Sequence, residues 1–402
     1  MFFGSLVIFF FAFALLLFQK CIIKTWSTPA DIYTIWSLFL IVTSILVYNE
    51  YNWKTLGILW WLFSCFLCQL GFIYGFKLKT NFIIPRFFSN TYCGWFNYKN
   101  ILFLYFMMGI MYSILLLWNH NFSLLSLTSQ SALYEVNNYM QGYRYGEHDN
   151  NEDIVQQICL SFTYALPICI GHLLPLKKVH IGILYIIIAL VPNILISTLN
   201  NTKAGVILAV ILIFTGYLMS YVKLYNKNPR ISGRTFWSAI VGLAVFLSLM
   251  FALIKLRYNS DPLRDSTDYI FSILIDYIFA CTVNFDYFFM NFDTFDFSSD
   301  LSYMIDSNIL TANAFWIATY GYVGTLLVWF IRGVLSGISF SSLKKGKDGF
   351  INRCILSYMY VNAIYFFTYE AFIYTTVIIG VFLLYPFWMS FFLKHLKNNL
   401  MN

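Results

Sequence analysis

Long apolar runs, each close to the length of a bilayer crossing, constrain the fold of this chain more than any other sequence feature. Hydrophobic residues make up 60% of the sequence and charged residues only 11%, whereas an ordinary soluble domain carries about 25% charged residues. A helix needs about 20 apolar residues to cross the hydrocarbon core of a membrane. The sequence therefore predicts an all-α, polytopic integral membrane protein in which residues 1–402 form a single helical domain.

Apolar segments separated by charged or turn-forming residues predict about eleven transmembrane helices. They lie at residues 2–18, 32–48, 55–76, 101–118, 154–175, 180–198, 204–222, 235–254 and 320–340, and in the two halves into which Glu370 divides residues 354–393. No basic residue precedes the first segment and no small-residue cleavage site follows it, so we interpret it as a retained helix rather than a signal peptide.

The distribution of Lys and Arg along the connections sets the orientation. Lys20 and Lys24 lie in the first connection, and a basic third connection follows residue 76, whereas Lys54 is alone in the second. Because cytoplasmic loops carry the excess of Lys and Arg, the odd-numbered connections are predicted to be cytoplasmic. The N-terminus and two large loops, 119–153 and 255–320, then face the outer side. With the net charge of +7 explained by topology, we expect no nucleic-acid partner.

The second large loop holds an acidic stripe that predicts an interfacial helix. Asp265, Asp268, Ser272 and Asp276 recur at i, i+3, i+7 and i+11, which places them on one side of a helix whose other positions are mostly apolar. Such a helix lies against lipid or other spans and keeps one wet face. The stripe is either a solvated face or the location of a catalytic carboxylate, for which Asp268 is the candidate.

Two further residues are candidate catalytic bases. Glu370 lies where two apolar half-runs meet, so it marks either a tight outer turn or a carboxyl group suited to proton transfer at the membrane interface. His148 lies in the polar part of the first large loop. The sequence does not decide among Glu370, Asp268 and His148.

Isolated cations on an acidic outer face are candidates for binding a diphosphate. Arg binds phosphate oxygens through paired N–H donors, and Lys acts as a point charge. The residues that we assign to this role are Arg257, Lys203, Arg264 and Arg144. The alternative for each of them is that it snorkels to the interface or pairs with a neighbouring Asp.

Metal and nucleotide motifs are absent from the sequence. Asp293, Asp296 and Asp300 lack the central glycine and terminal glutamate of an EF-hand. The sequence contains no zinc-binding His/Glu motif, phosphate-cradling glycine loop or Gly-x-Ser-x-Gly motif. We therefore expect neither a metal nor a cofactor.

Two passages of the chain resemble the O-antigen polymerases. The first is the polar and basic segment 200–205, NNTKAG, which opens an apolar span. The second comprises LTANAF at 310–315, YGYVG at 320–324 and the following span with Arg332 and Gly333. In this resemblance, Asn201, Asn313 and Gly321 are the motif residues expected to contact substrate. The similarity covers residues 200–393.

The resemblance implies a glycosyltransferase of lipopolysaccharide biosynthesis in the bacterial cell inner membrane, with a fold similar to the lipid-sugar-dependent (GT-C-like) class. Its donor and acceptor would be oligosaccharide repeat units on undecaprenyl diphosphate, joined on the periplasmic face. A chain-length regulator protein and membrane lipid are the other expected partners, and no metal is required.

A lipid-linked oligosaccharide flippase and an O-antigen ligase are the alternatives. Transporters commonly place paired charges or broken helices at mid-membrane, whereas the predicted spans are almost free of charge apart from Arg332. The polar residues are concentrated in the two outer loops, which favours surface chemistry. A ligase uses the same donor with a lipid A core acceptor, and the sequence separates it poorly from a polymerase.

The predicted topology can be tested by enzyme fusions. Alkaline phosphatase is active only outside the cytoplasm, so a fusion after Ser299 should be active and a fusion after Lys345 inactive, at equal abundance. The reverse pattern would place the second large loop in the cytoplasm and exclude an outer site.

Overall fold

The computed structural model describes residues 2–18, 21, 26–78, 98–144, 153–175, 183–200, 204–225, 248, 251–252, 255, 267–294, 311–345, 349–367 and 375–388. These residues form α-helices and connecting turns and contain no strand. The helices are α1 (Phe2–Phe18), α2 (Pro29–Val47), α3 (Leu56–Lys77), α4 (Tyr98–Asn119), α5 (Gln130–Arg144), α6 (Ile154–Leu173), α7 (Ile183–Leu199), α8 (Ala204–Tyr225), α9 (Thr267–Met290), α10 (Ala312–Lys344), α11 (Phe350–Tyr365) and α12 (Thr375–Phe382), with a 3₁₀ turn at Leu124–Leu127.

The prediction of an all-α, polytopic membrane protein is confirmed at the level of fold class. Within the described ranges, six helices are long and apolar enough to cross a membrane, namely α2, α3, α4, α6, α8 and α10, and the bent helix α9 makes a seventh if it counts as one span. Shorter apolar helices occupy Val7–Phe18, Leu184–Leu199 and Thr376–Trp388. Most of the predicted span 235–254 lies outside the described residues. The total of eleven transmembrane helices therefore stays a prediction.

The described helices form two compact units. The first contains α1, α2, α3, α9, α10 and α11, and the second contains α4 to α8 and α12. In the second unit the predicted outer loop 119–153 includes the amphipathic helix α5. Val136 and Met140 of α5 pack into a buried apolar cluster with Tyr112, Cys159 and Leu199. Helix α5 is thereby part of the packed unit.

In the first unit, α3 and α10 approach each other through glycines spaced four residues apart. Gly71 and Gly75 lie on α3, and Gly333 and Gly337 lie on α10. A Cβ atom at Gly333 would lie 2.1 Å from the carbonyl oxygen of Cys68, and one at Gly71 would lie 2.2 Å from that of Phe330. Small residues at this spacing allow close helix contact in membranes. The two backbones therefore touch directly.

Helix α10 is broken at Gly321. This residue has φ +70° and ψ 178°, a conformation that glycine adopts without the steric cost of a side chain. The break separates a short arm, residues 312–320, from a long arm, residues 322–344. Asn313 contacts Trp329, so the short arm folds back along the long arm. Helix α10 begins at Ala312, whereas the sequence predicted a span beginning at Tyr320.

Helix α9 lies within the predicted outer loop 255–320, where the sequence predicted an interfacial helix. Asp268 and Ser272 are exposed, as expected for a wet stripe, but Asp276 is half-buried and accepts a hydrogen bond from the Tyr48 hydroxyl. The helix bends by 52° between Thr267–Ile273 and Ile278–Met290. Residues 280–286 are buried against other helices, so the second half of α9 belongs to the core of the unit.

A single methyl group tests the contact between α3 and α10. Gly333→Ala should lower the free energy of unfolding by about 1–3 kcal/mol, because overpacking at a site with no free volume forces the backbones apart. Gly349→Ala is the control, since within the described residues a Cβ there meets no atom within 4 Å, and it should cost less than Gly333→Ala because it alters only the N-cap of α11. Thermal unfolding of the purified protein in detergent measures both, and equal melting temperatures would contradict the observed packing.

Candidate functional site

Asn313 is the centre of a buried hydrogen-bond network in the first unit. Its Oδ1 atom accepts from Trp329 Nε1 at 2.7 Å and from the Tyr33 hydroxyl at 3.3 Å. The Tyr33 hydroxyl also shares a hydrogen bond of 2.9 Å with Ser64 Oγ, and the rings of Tyr33 and Trp329 stack with centroids 3.9 Å apart. Within the described residues, the Asn313 Nδ2 donor has no hydrogen-bond acceptor. The network thus joins α2, α3 and both arms of α10.

The local sequence explains why α2 begins beside this network. Thr28 and Asp31 form a capping box, in which Asp31 N donates to Thr28 Oγ1 and Thr28 N donates to Asp31 Oδ2. Pro29 occupies the first turn, where its missing N–H costs nothing. Asp31 is completely buried. The start of α2 therefore brings a carboxylate into the interior of the unit.

Arg332 is a buried cation enclosed by two indole rings. Its guanidinium carbon lies 5.1 Å from the ring centroid of Trp316 on the short arm and 4.8 Å from that of Trp329 on the long arm. Only 5% of the residue is exposed. Cation–π contacts of this kind are stronger where water is excluded. A charged side chain inside a helical membrane protein is usually functional.

Helix ends converge at this place, which is why polar groups are available in an apolar bundle. The short arm begins at Ala312, whose N–H donates to the carbonyl oxygen of Phe366 at the end of α11 at 2.7 Å. Pro29 at the start of α2 lines a small cavity together with Arg332 and Asn362 of α11. Helix ends carry backbone groups without partners inside the helix. The convergence of helix ends therefore brings backbone polar groups to this part of the first unit.

Two further polar contacts attach the connection between α2 and α3 to α9. The backbone N–H of Lys54 donates to Asp286 Oδ2 at 2.9 Å, and the Tyr48 hydroxyl bonds to Asp276. Burial, with a smaller effect of the Asp286 carboxylate, raises the pKa of Tyr51 in this loop. Tyr51 therefore stays a neutral phenol at physiological pH. The two aspartates act here as structural hydrogen-bond acceptors.

The structure brings together only part of the residues predicted for the site. Asn313 lies at the centre of the network and Gly321 at the break that makes the short arm fold back. Asp268 is exposed in the first turn of α9. Arg144 ends α5, and its side chain lies outside the described part of the structure. The others, also outside the described residues, are Glu370, His148, Arg257, Lys203, Arg264 and Asn201.

Sequence reasoning missed Asp31, Tyr33 and Asn362 as site residues. The Thr28-Pro29-Ala30-Asp31 sequence is a recognisable helix start with a proline in the first turn, and it would have placed Asp31 inside the span rather than before it. Asn362 is a polar residue within an apolar run, which is a usable signal in a membrane protein. Nothing in the local sequence indicates that Tyr33 stacks on Trp329.

Comparisons with known proteins give no relative: no protein-family model, no curated protein and no solved structure matches this chain. Among the described residues, no group of three or more His, Cys, Asp or Glu side chains is arranged to hold a metal ion.

Replacing Asn313 tests its role as the central acceptor. Asn313→Leu leaves Trp329 Nε1 buried without an acceptor, which should destabilise the protein by about 1–3 kcal/mol. Thr319→Val on the same arm is the control, because Thr319 is exposed and, among the described residues, its hydroxyl bonds to the carbonyl oxygen of Phe315 in its own helix, so its effect should stay within about 0.5 kcal/mol. Thermal unfolding in detergent distinguishes them. Wild-type stability of Asn313→Leu would remove Asn313 from the centre of the site.

Proposed function

We propose that this chain is an O-antigen polymerase of the bacterial inner membrane, a glycosyltransferase that joins oligosaccharide repeat units carried on undecaprenyl diphosphate. One observation carries the proposal. The segment that resembles this family, from Asn313 through Gly321 to Arg332, forms a single folded-back element whose polar side chains meet in the core of the first unit. A broken helix that collects an amide, a buried cation and aromatic rings suits a site for a lipid-linked, anionic substrate.

The proposed reaction makes three chemical demands. The hydroxyl of the acceptor sugar attacks the anomeric carbon of the donor, its proton passes to a base, and the carbon–oxygen bond to the diphosphate breaks with the electron pair leaving on the diphosphate. Cations must stabilise that leaving group, a role that we assign to Arg257, Lys203, Arg264 and Arg144. The base is proposed among Glu370, Asp268 and His148.

The lipid carrier and the location complete the proposal. The polyprenyl chains of donor and acceptor lie in the bilayer, and the sugars meet on the periplasmic face. Asp268 is the one candidate base whose exposure is described, and its position at the start of α9 makes it reachable from water. A chain-length regulator protein is the proposed partner in the membrane. The motif residues Asn201, Asn313 and Gly321 are proposed to position the substrate.

Flipping of a lipid-linked oligosaccharide is a second candidate function, favoured by the buried charges. The sequence suggested spans almost free of charge apart from Arg332, but Asp31 is also completely buried. Buried charges and a broken helix, here at Gly321, are common features of transporters. The same two observations therefore fit transport as well as transfer.

A gene deletion separates the candidates. Without a polymerase, ligation continues, so the cells should carry lipid A core with at most one repeat unit and no ladder of longer chains on a lipopolysaccharide gel. A retained ladder would reject the polymerase. Loss of even the single-unit band, with lipid-linked units accumulating, would indicate a flippase or a ligase instead.

A further inference from the structure

The ring of Tyr320 is an exposed aromatic surface beside the break in α10, and the proposed function assigns it no role. Tyr320 is 57% exposed. Its ring stacks on that of Trp316, with the centroids 5.3 Å apart and an angle of 13° between the planes. Trp316 therefore supports one face of the Tyr320 ring, and the exposure leaves the other face open. A second ring can lie flat on such a face.

Two glycines make room for the exposed tyrosine. Gly321, with φ +70°, turns the chain so that the short arm ends at Tyr320. At Gly324, a Cβ atom would lie only 2.7 Å from the Cβ atom of Tyr320, and this overlap would displace the tyrosine. Residues 320–324, YGYVG, therefore shape the backbone around the Tyr320 side chain.

Contacts between planar groups continue from Trp316 into the core. The Arg332 guanidinium lies over the rings of both Trp316 and Trp329. Trp329 in turn stacks on Tyr33, with centroids 3.9 Å apart. The Tyr320 ring is thus the exposed end of a series of five planar groups from α2 and both arms of α10. This support holds the ring in place before a ligand arrives, and preorganisation of this kind lowers the entropy cost of binding.

The break in α10 lies at one boundary of the membrane. The long arm, residues 322–344, is about 34 Å long at about 1.5 Å per residue, enough to cross a hydrocarbon core of about 30 Å. Its far end is basic, with lysines at 344–345, which favours the cytoplasmic side. At the near end, the exposed Asp293 interacts electrostatically with Tyr322. This topology assigns Tyr320 to the outer, water-facing boundary, where the sugars of the substrate would lie.

We propose that Tyr320 is a sugar-stacking residue that binds one pyranose ring of the lipid-linked oligosaccharide. The C–H bonds on one side of a pyranose carry a small positive charge, and the face of an aromatic ring is negative, so the two surfaces attract each other. This contact requires an aromatic ring, whereas a residue that only anchors α10 in lipid requires apolar area. The inference deepens the proposed function and rests on it for the identity of the substrate.

The experiment measures sugar binding to the full-length protein in detergent by saturation-transfer difference NMR. The probe is the repeat-unit oligosaccharide of the source strain, released from its lipid carrier by mild acid. We expect its ring protons to receive saturation from the wild-type protein. Tyr320→Leu should weaken binding about tenfold, by analogy with the removal of a stacked aromatic ring from a nucleic-acid site. Tyr320→Phe keeps the ring and should bind within about twofold of wild type, because stacking does not need the hydroxyl.

Tyr74→Leu is the matched control. Tyr74 is also 57% exposed and lies in the same unit, in the last turn of α3 before Lys77, at the end of that helix predicted to be cytoplasmic. Its replacement should leave sugar binding unchanged. Equal losses in Tyr74→Leu and Tyr320→Leu would overturn the proposal, and so would wild-type binding by Tyr320→Leu, which would make Tyr320 a membrane anchor. A loss in Tyr320→Phe as large as that in Tyr320→Leu would exclude stacking.

The binding measurement is separate from the test of the proposed function. Sugar binding that depends on Tyr320, in a protein whose gene deletion leaves the lipopolysaccharide ladder intact, would support the stacking site and reject the polymerase. Loss of the ladder on deletion, together with a wild-type protein that does not bind the oligosaccharide, would keep the polymerase and overturn the stacking site.

Discussion

The glycine-lined contact between α3 and the long arm of α10 is the constraint on which the rest of the first unit depends. At Gly71 and Gly333 the backbones are so close that a Cβ atom would overlap a carbonyl oxygen of the other helix. Lipid is as apolar as the side chains, so helices in a membrane associate by such packing rather than by the hydrophobic effect. Arg332 directly precedes Gly333, and the contact therefore also fixes the backbone from which the Arg332 side chain extends.

A cation held in this way requires compensation from elements far away in the sequence. Trp316 reaches Arg332 only because the chain reverses at Gly321. The short arm begins in the interior of the unit, and the first N–H groups of a helix need partners outside the helix. The hydrogen bond from Ala312 to Phe366 provides one such partner. The glycine contact, the broken helix and the end of α11 thus form one interdependent arrangement.

Apolar patterning predicted the class of fold and the approximate extent of helices such as α3, because lipid imposes length and composition on every span. It could not predict the start of α10, since Thr311 and Asn313 look like loop residues until a buried partner exists for them. Likewise, the pairing of Tyr33 with Asn313 joins positions 280 apart in sequence, and no local period encodes that contact. Asp31 is different: its capping box is a local signal, and a helix boundary placed by hydropathy alone excluded it.

The surroundings of Arg332 bear on the choice between transfer and transport. A transporter needs charges that exchange partners as helices rock between two states, whereas a transferase gains from charges that are held in place before the reaction. Two indole rings enclose the guanidinium, and the adjacent Gly333 lies against the backbone of α3. The ring contacts hold the guanidinium, and the helix contact holds the backbone that carries it. Such a fixed cation favours a transferase, in which electrostatic groups keep their positions while the substrate changes charge.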